Sequence, residues 1–166
     1  MKHPTPTRSS RRLPKDRLEA MFHMQAELNR RIGIDTTSLP EDQQPTWILN
    51  FCRALSQEVA ELVDSVPWKW WARYQTYDRD NARIEVVDLF HFLISLAQIV
   101  GLSARDVYDL YMKKNQLNFA RQEQGYTHKD EHDNRRLLAS GDSIAQHRRT
   151  RRQASSKRTR PRRTPS

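Results

Sequence analysis

Cysteine, glycine and long hydrophobic runs are all scarce in this 166-residue chain. The single cysteine, Cys52, excludes an internal disulfide framework, and no Cys/His group has zinc-ligand spacing. The longest apolar run, Leu89 to Leu102, is interrupted by His91 and Gln98 and is too short to span a bilayer. The basic N-terminal stretch is followed by no apolar segment of the kind a secretory signal needs, so the expected location is cytoplasmic. A P-loop is also missing, since G-x-x-x-x-G-K-[ST] occurs nowhere. With four glycines and an apolar content of 36%, the chain is expected to hold one modest domain that does not fill its length.

Basic charge is abundant, with 29 Lys+Arg against 20 Asp+Glu and a formal net charge of +9. Such a balance points first to nucleic acid as a partner. The distribution changes that reading. Residues 1–17 hold six bases and one acid, and residues 129–166 hold twelve bases and four acids. Residues 18–128 hold eleven bases against fifteen acids. All fourteen aromatic residues also lie in the middle, from Phe22 to Tyr126. The expected organisation is therefore a basic tail over 1–16, a folded domain over 17–128 and an Arg-rich tail over 129–166. The tails have too little apolar surface to offset chain entropy and are expected to be disordered.

Within the body, apolar residues recur at three and four spacing, with no comparable alternation. Helix one is expected from about Lys15 to Arg31, ended by Gly33. Helix two starts near Thr46 and stops before Pro67. Helix three runs from about Ala82 to Val100, closed by Gly101. Helix four opens with Ser103 as its cap and Asp106 in its first turn, and ends near Gly125. The fold class is all-α, a four-helix bundle-like core. Trp68, Trp70, Trp71, Phe90 and Phe92 exceed what so small a bundle buries, which points to oligomerisation through helix faces.

Two pairs of acids stand where a core is expected. Helix three reads Ile84-Glu85-Val86-Val87-Asp88-Leu89, and helix two places Glu58 and Glu61 among Leu55, Val59, Leu62 and Val63. A spacing of three puts each pair on one side of its helix, where like charges repel. One E-x-x-E alone reads as a solvated face. Two pairs, one inside an apolar run, point to a cation held by oxygen ligands. The Glu-x-x-His pattern of di-iron bundles is not met around His91, so Mg²⁺ is favoured. Helix four carries Lys114, Asn118 and Arg121 on one face, suited to phosphate oxygens. By itself that face reads equally well as an ordinary basic surface. Beside four acids, it predicts metal-assisted hydrolysis of a phosphoanhydride, with one carboxylate as base.

These segments together resemble the dimeric, all-α dUTPase family, within the all-α nucleoside triphosphate pyrophosphatases that include MazG-type enzymes and phage dCTP pyrophosphatases. The resemblance covers roughly Leu18 to Tyr126. It rests on M-Q-A-E-L-N from Met24, E-V-A-E-L-V-D-S-V-P-W-K-W-W from Glu58, E-V-V-D-L-F-H-F from Glu85 and K-N-Q-L-N-F-A-R-Q-E-Q-G-Y from Lys114. It implies that Glu58, Glu61, Glu85 and Asp88 form the catalytic Mg²⁺ site. It further implies that Lys114, Asn118, Arg121 and Tyr126 contact the substrate phosphates. Gln25 and Asn29 fit a pyrimidine edge, with Trp47 near the base; helix capping and surface roles remain the alternative for these amides. The implied reaction is hydrolysis of dUTP, and usually dUDP, to dUMP, which keeps uracil out of DNA. A dCTP or broader dNTP pyrophosphatase is the nearest alternative, because side-chain amides can turn to suit either pyrimidine. From another class, a nucleic-acid-binding protein would act through the basic tails, which lie outside the family pattern. The tails are expected to add nonspecific nucleic-acid contact in either case.

Overall fold

A computed structural model describes residues 16–123 and Gly125. Each helix begins and ends where its local chemistry requires. Helix α1, Arg17–Arg31, opens at Asp16, whose side chain accepts from the Glu19 N–H at 2.8 Å. It closes in a Schellman arrangement: Gly33 N–H donates to the Arg30 carbonyl and Ile34 N–H to the Asn29 carbonyl, with Gly33 at φ 93°. The same closure ends α3, Arg79–Ile99, through Gly101 and Leu102. Both glycines occupy the left-handed region that side chains disfavour.

Helix α2, Gln44–Asp64, starts two residues before the sequence expectation, since Pro45 fits the first turn, where its missing N–H costs nothing. Helix α3 likewise starts at Arg79 rather than near Ala82. Asp78 caps it by accepting from the Asn81 N–H at 3.0 Å, so part of the expected charged bridge is its first turn. Among the described residues there is no strand, and the all-α class stands.

The described residues divide into two compact units between Ser103 and Ala104. In the first, α3 packs against both α2 and α1, more extensively against α2. Its core holds Phe22, Ala26, Phe51, Ile94 and Ile99. Phe92, expected at the surface, is half-buried with its ring centroid 6.2 Å from that of Phe51. Trp68, Trp70, Trp71 and Phe90 are exposed as expected, Trp70 most of all at 89%. The indole of Trp71 meets those of Trp68 and Trp70 edge-on, at 6.0 and 5.4 Å. In the second unit, α4, Ala104–Glu123, follows directly on Ser103, with Asp106 buried in its first turn. Among the described residues no single helix is long and apolar enough to cross a membrane.

Candidate active site

The connection between α2 and α3 sets the geometry of the acids. Ser65, buried at the end of α2, accepts the Asp78 N–H with its carbonyl at 2.9 Å. Its hydroxyl oxygen accepts from Asn81 Nδ2 at 2.8 Å. This clasp joins the last residues of α2 to the first turn of α3, so the two helices run antiparallel from a fixed starting point. Counting away from it, Glu61 lies four residues before Ser65 and Glu85 four after Asn81. Glu58 and Asp88 each lie seven away. The two acid pairs are thus matched turn for turn across the hairpin.

Carboxylate oxygens of Glu58, Glu61 and Glu85 all lie within 4.8 Å of one another. Glu85 is buried at 7% exposure, Glu58 is half-buried and Glu61 exposed. Asp88 stands outside this convergence but is near enough for its charge to act on Glu58. Loss of water holds the Glu58 carboxyl above its ordinary range. Repulsion from Glu61, Asp88 and Glu85 and a hydrogen bond with Glu85 act in the same direction. Like charges so arranged favour any cation that enters, and an all-oxygen donor set suits a hard divalent ion such as Mg²⁺. The surface ion pairs at Glu27, Asp80 and Asp109 involve other acids.

The amides expected at a base edge occupy a different place. Gln25 and Asn29, 5% and 1% exposed, lie between α1 and α3 in a chain of buried hydrogen bonds. Gln25 Nε2 donates to Asn29 Oδ1 and to Ser95 Oγ, both at 3.1 Å. Asn29 Nδ2 donates to Ser95 Oγ at 3.0 Å and to Thr36 Oγ1 at 3.2 Å. Thr36 donates to Gln98 Oε1 at 2.6 Å, and Gln98 Nε2 to the Phe22 carbonyl at 2.7 Å. His91 Nδ1 lies 2.7 Å from Gln25 Oε1. Trp47, in the first turns of α2, is half-buried with its ring centroid 6.1 Å from that of Phe51.

Sequence reasoning missed Ser65, Asn81, Thr36, Ser95 and Gln98. A signal for the last two was present: polar residues inside the apolar half of α3 need partners. Gln98 and His91 registered only as interruptions of a hydrophobic run. Lys114 and Arg121 are half-buried and Asn118 exposed on α4, in the second unit. Tyr126 lies outside the described residues, as do the tails.

An all-α protein with matched acid pairs across a helical hairpin has the makings of a metal-assisted nucleotide hydrolase. Comparison with known proteins identifies that class: a family model for dUTPase matches residues 17–100 and 94–126. The chain belongs to the dUTPase family and is a nucleoside triphosphate pyrophosphatase. A dCTP pyrophosphatase of Enterobacteria phage LZ5 is 29% identical over 143 residues, covering 67% of this chain and 83% of the relative. The dCTP pyrophosphatase of Enterobacteria phage T4 is 28% identical over 143 residues, covering 68% and 84%. No solved structure matches the chain.

Proposed function

We propose that the protein hydrolyses dUTP, and dUDP, to dUMP in a Mg²⁺-dependent reaction. The observation that carries this reading is the convergence of Glu58, Glu61 and Glu85 across the α2–α3 hairpin. These three, with Asp88 one turn along, would hold the metal. When bound, Mg²⁺ supplies charge neutralisation and Lewis acidity at phosphate oxygens. The protein's own part is to position and to move protons. One carboxylate of the set is proposed to accept a proton from the attacking water. Lys114, Asn118, Arg121 and Tyr126 are proposed to bind phosphate, with Gln25, Asn29 and Trp47 at the pyrimidine. Exposed apolar residues on α2 and α3, among them Val59, Val63, Val87, Phe90 and Leu93, support a homodimer.

A second reading, dCTP as substrate, is favoured by the two phage relatives. Pyrophosphate release from a panel of dNTPs, with and without Mg²⁺, tests both. The first reading expects dUTP turnover that chelation abolishes. Turnover of dCTP alone replaces dUTP with the second reading, and no turnover of any dNTP refutes both.

A further inference from the structure

The connection between α2 and α3, residues 65–78, is too long to align the two helices as a tight turn would. Its own side-chain bonds run elsewhere. Trp68 Nε1 donates to Asp64 Oδ1 on α2, and the Lys69 N–H to Gln75 Oε1 within the connection, both at 2.8 Å. Alignment therefore falls to packing and to the hydrogen bonds that join the helix ends. Among the described residues, both of those bonds end on Ser65, which is 2% exposed. Its carbonyl accepts the Asp78 N–H, and its hydroxyl oxygen accepts from Asn81 Nδ2. The Ser65 hydroxyl proton is directed to the Glu61 carbonyl at 3.3 Å. The side-chain path thus starts on α3 one turn before Glu85 and ends on the backbone of Glu61.

This path works against a force. Carboxyl oxygens of Glu58, Glu61 and Glu85 within 4.8 Å of one another repel until a cation enters. A slip of one residue along either helix would turn its acids by about 100° and shift them by about 1.5 Å. Small ions are the less forgiving of such a change. Mg²⁺ demands near-octahedral oxygens at about 2.0–2.1 Å, whereas Ca²⁺ takes longer bonds, about 2.3–2.6 Å, in irregular geometry. We propose that Ser65 and Asn81 are positioning residues that hold Glu61 and Glu85 in register and so bias the acid set toward Mg²⁺ over Ca²⁺. The inference rests on the reading of these acids as a metal site. Without the contact, the hairpin relaxes under the repulsion of its own acids. The widened set still accommodates Ca²⁺ and holds Mg²⁺ poorly.

Calorimetric titration of the full chain, with Mg²⁺ alone and with Ca²⁺ alone, tests this in Ser65→Ala, Asn81→Ala and the double variant. Asn81 is exposed, so its truncation leaves the core packed and carries the test even where Ser65→Ala does not fold. Each single change should weaken Mg²⁺ binding about tenfold and Ca²⁺ binding no more than about threefold. The double variant should bind like either single one, because both remove the same contact. Thr36→Val, which breaks the buried bond to Gln98 in the other cluster, should melt earlier and leave the ratio of the two affinities unchanged. Equal losses for both ions in Asn81→Ala, or a ratio that Thr36→Val shifts as much, overturns the positioning role. A wild type that binds Mg²⁺ and an Asn81→Ala protein that binds it as tightly overturns that role alone. A wild type that binds neither ion overturns the metal site itself.

Discussion

Helix α3 takes part in two polar clusters that are opposites in their chemistry. Toward its N-terminal end, Glu85 meets Glu58 and Glu61 of α2, a set made of carboxyls alone whose charges repel. Toward its C-terminal end, Ser95 and Gln98 meet Gln25, Asn29 and Thr36 in a chain where each donor finds an acceptor. The second cluster is complete by itself and reads as a device for fixing α1 against α3. The first is incomplete: the fold opposes its own charges and leaves them for an incoming cation to satisfy. Burial is similar, 7% exposure at Glu85 and at Gln98, so burial does not separate structure from chemistry here. Whether the protein's own groups complete the cluster does.

Replacing a member of the acidic cluster should have the largest effect and should act on function alone. Glu85→Gln and Glu58→Gln are each expected to lower turnover by roughly 100-fold or more, while the metal-free protein melts no earlier because a repulsion has been removed. Pyrophosphate release and thermal unfolding of the same samples check this. Activity surviving either change would end the metal-site assignment.

Next in size is the clasp that sets the register. Asn81→Ala keeps the backbone cap but removes the bond to Ser65, and should weaken Mg²⁺ binding about tenfold. Calorimetric titration with Mg²⁺ alone provides the measurement.

The complete cluster should respond in the opposite sense to the acidic one. Asn29→Leu leaves Thr36, Ser95 and Gln25 short of partners and is expected to cost about 2 kcal/mol of stability, read by urea unfolding. An unchanged midpoint would show that the network does not fix α1.

A pH series distinguishes the clusters more gently. Because Glu58 titrates above its ordinary 4.5, the folded metal-free protein holds that proton more tightly than the unfolded chain. Its contribution to stability is therefore fully present below 4.5 and is lost as pH rises through the elevated folded value. The Glu58→Gln protein should lack this decline, as unfolding midpoints measured across the window would show. Smallest in effect on catalysis is removal of the basic segments. A protein of residues 15–128 should hydrolyse nucleotide at close to the full rate but elute from immobilised DNA at lower salt. A large loss of hydrolysis would show that these segments complete the site.

Much of this was legible in the chain. Apolar spacing marked four helices, Gly33 and Gly101 marked two of their ends, and acids at a spacing of three marked the chemistry. Less legible were the starts of α2 and α3, where Pro45 and Asp78 extend the helices beyond the apolar pattern. The amides Gln25 and Asn29 were legible as a pair on one helix face. Their distant partners Ser95 and His91 were not, because these lie 66 to 70 positions away and no local pattern connects them.

The sequence by itself determined the helices, the spacing of each acid pair and the concentration of acids in the body rather than the tails. These follow from periodicity, capping and charge, which act over a few residues. Only the tertiary structure decided that Glu58 and Glu61 meet Glu85, and that Gln25 and Asn29 face Ser95. Each of those encounters depends on how two helices align, which is set by packing and by a few buried hydrogen bonds such as Asn81 to Ser65. Those bonds join residues whose separation in the chain carries no signal of their contact.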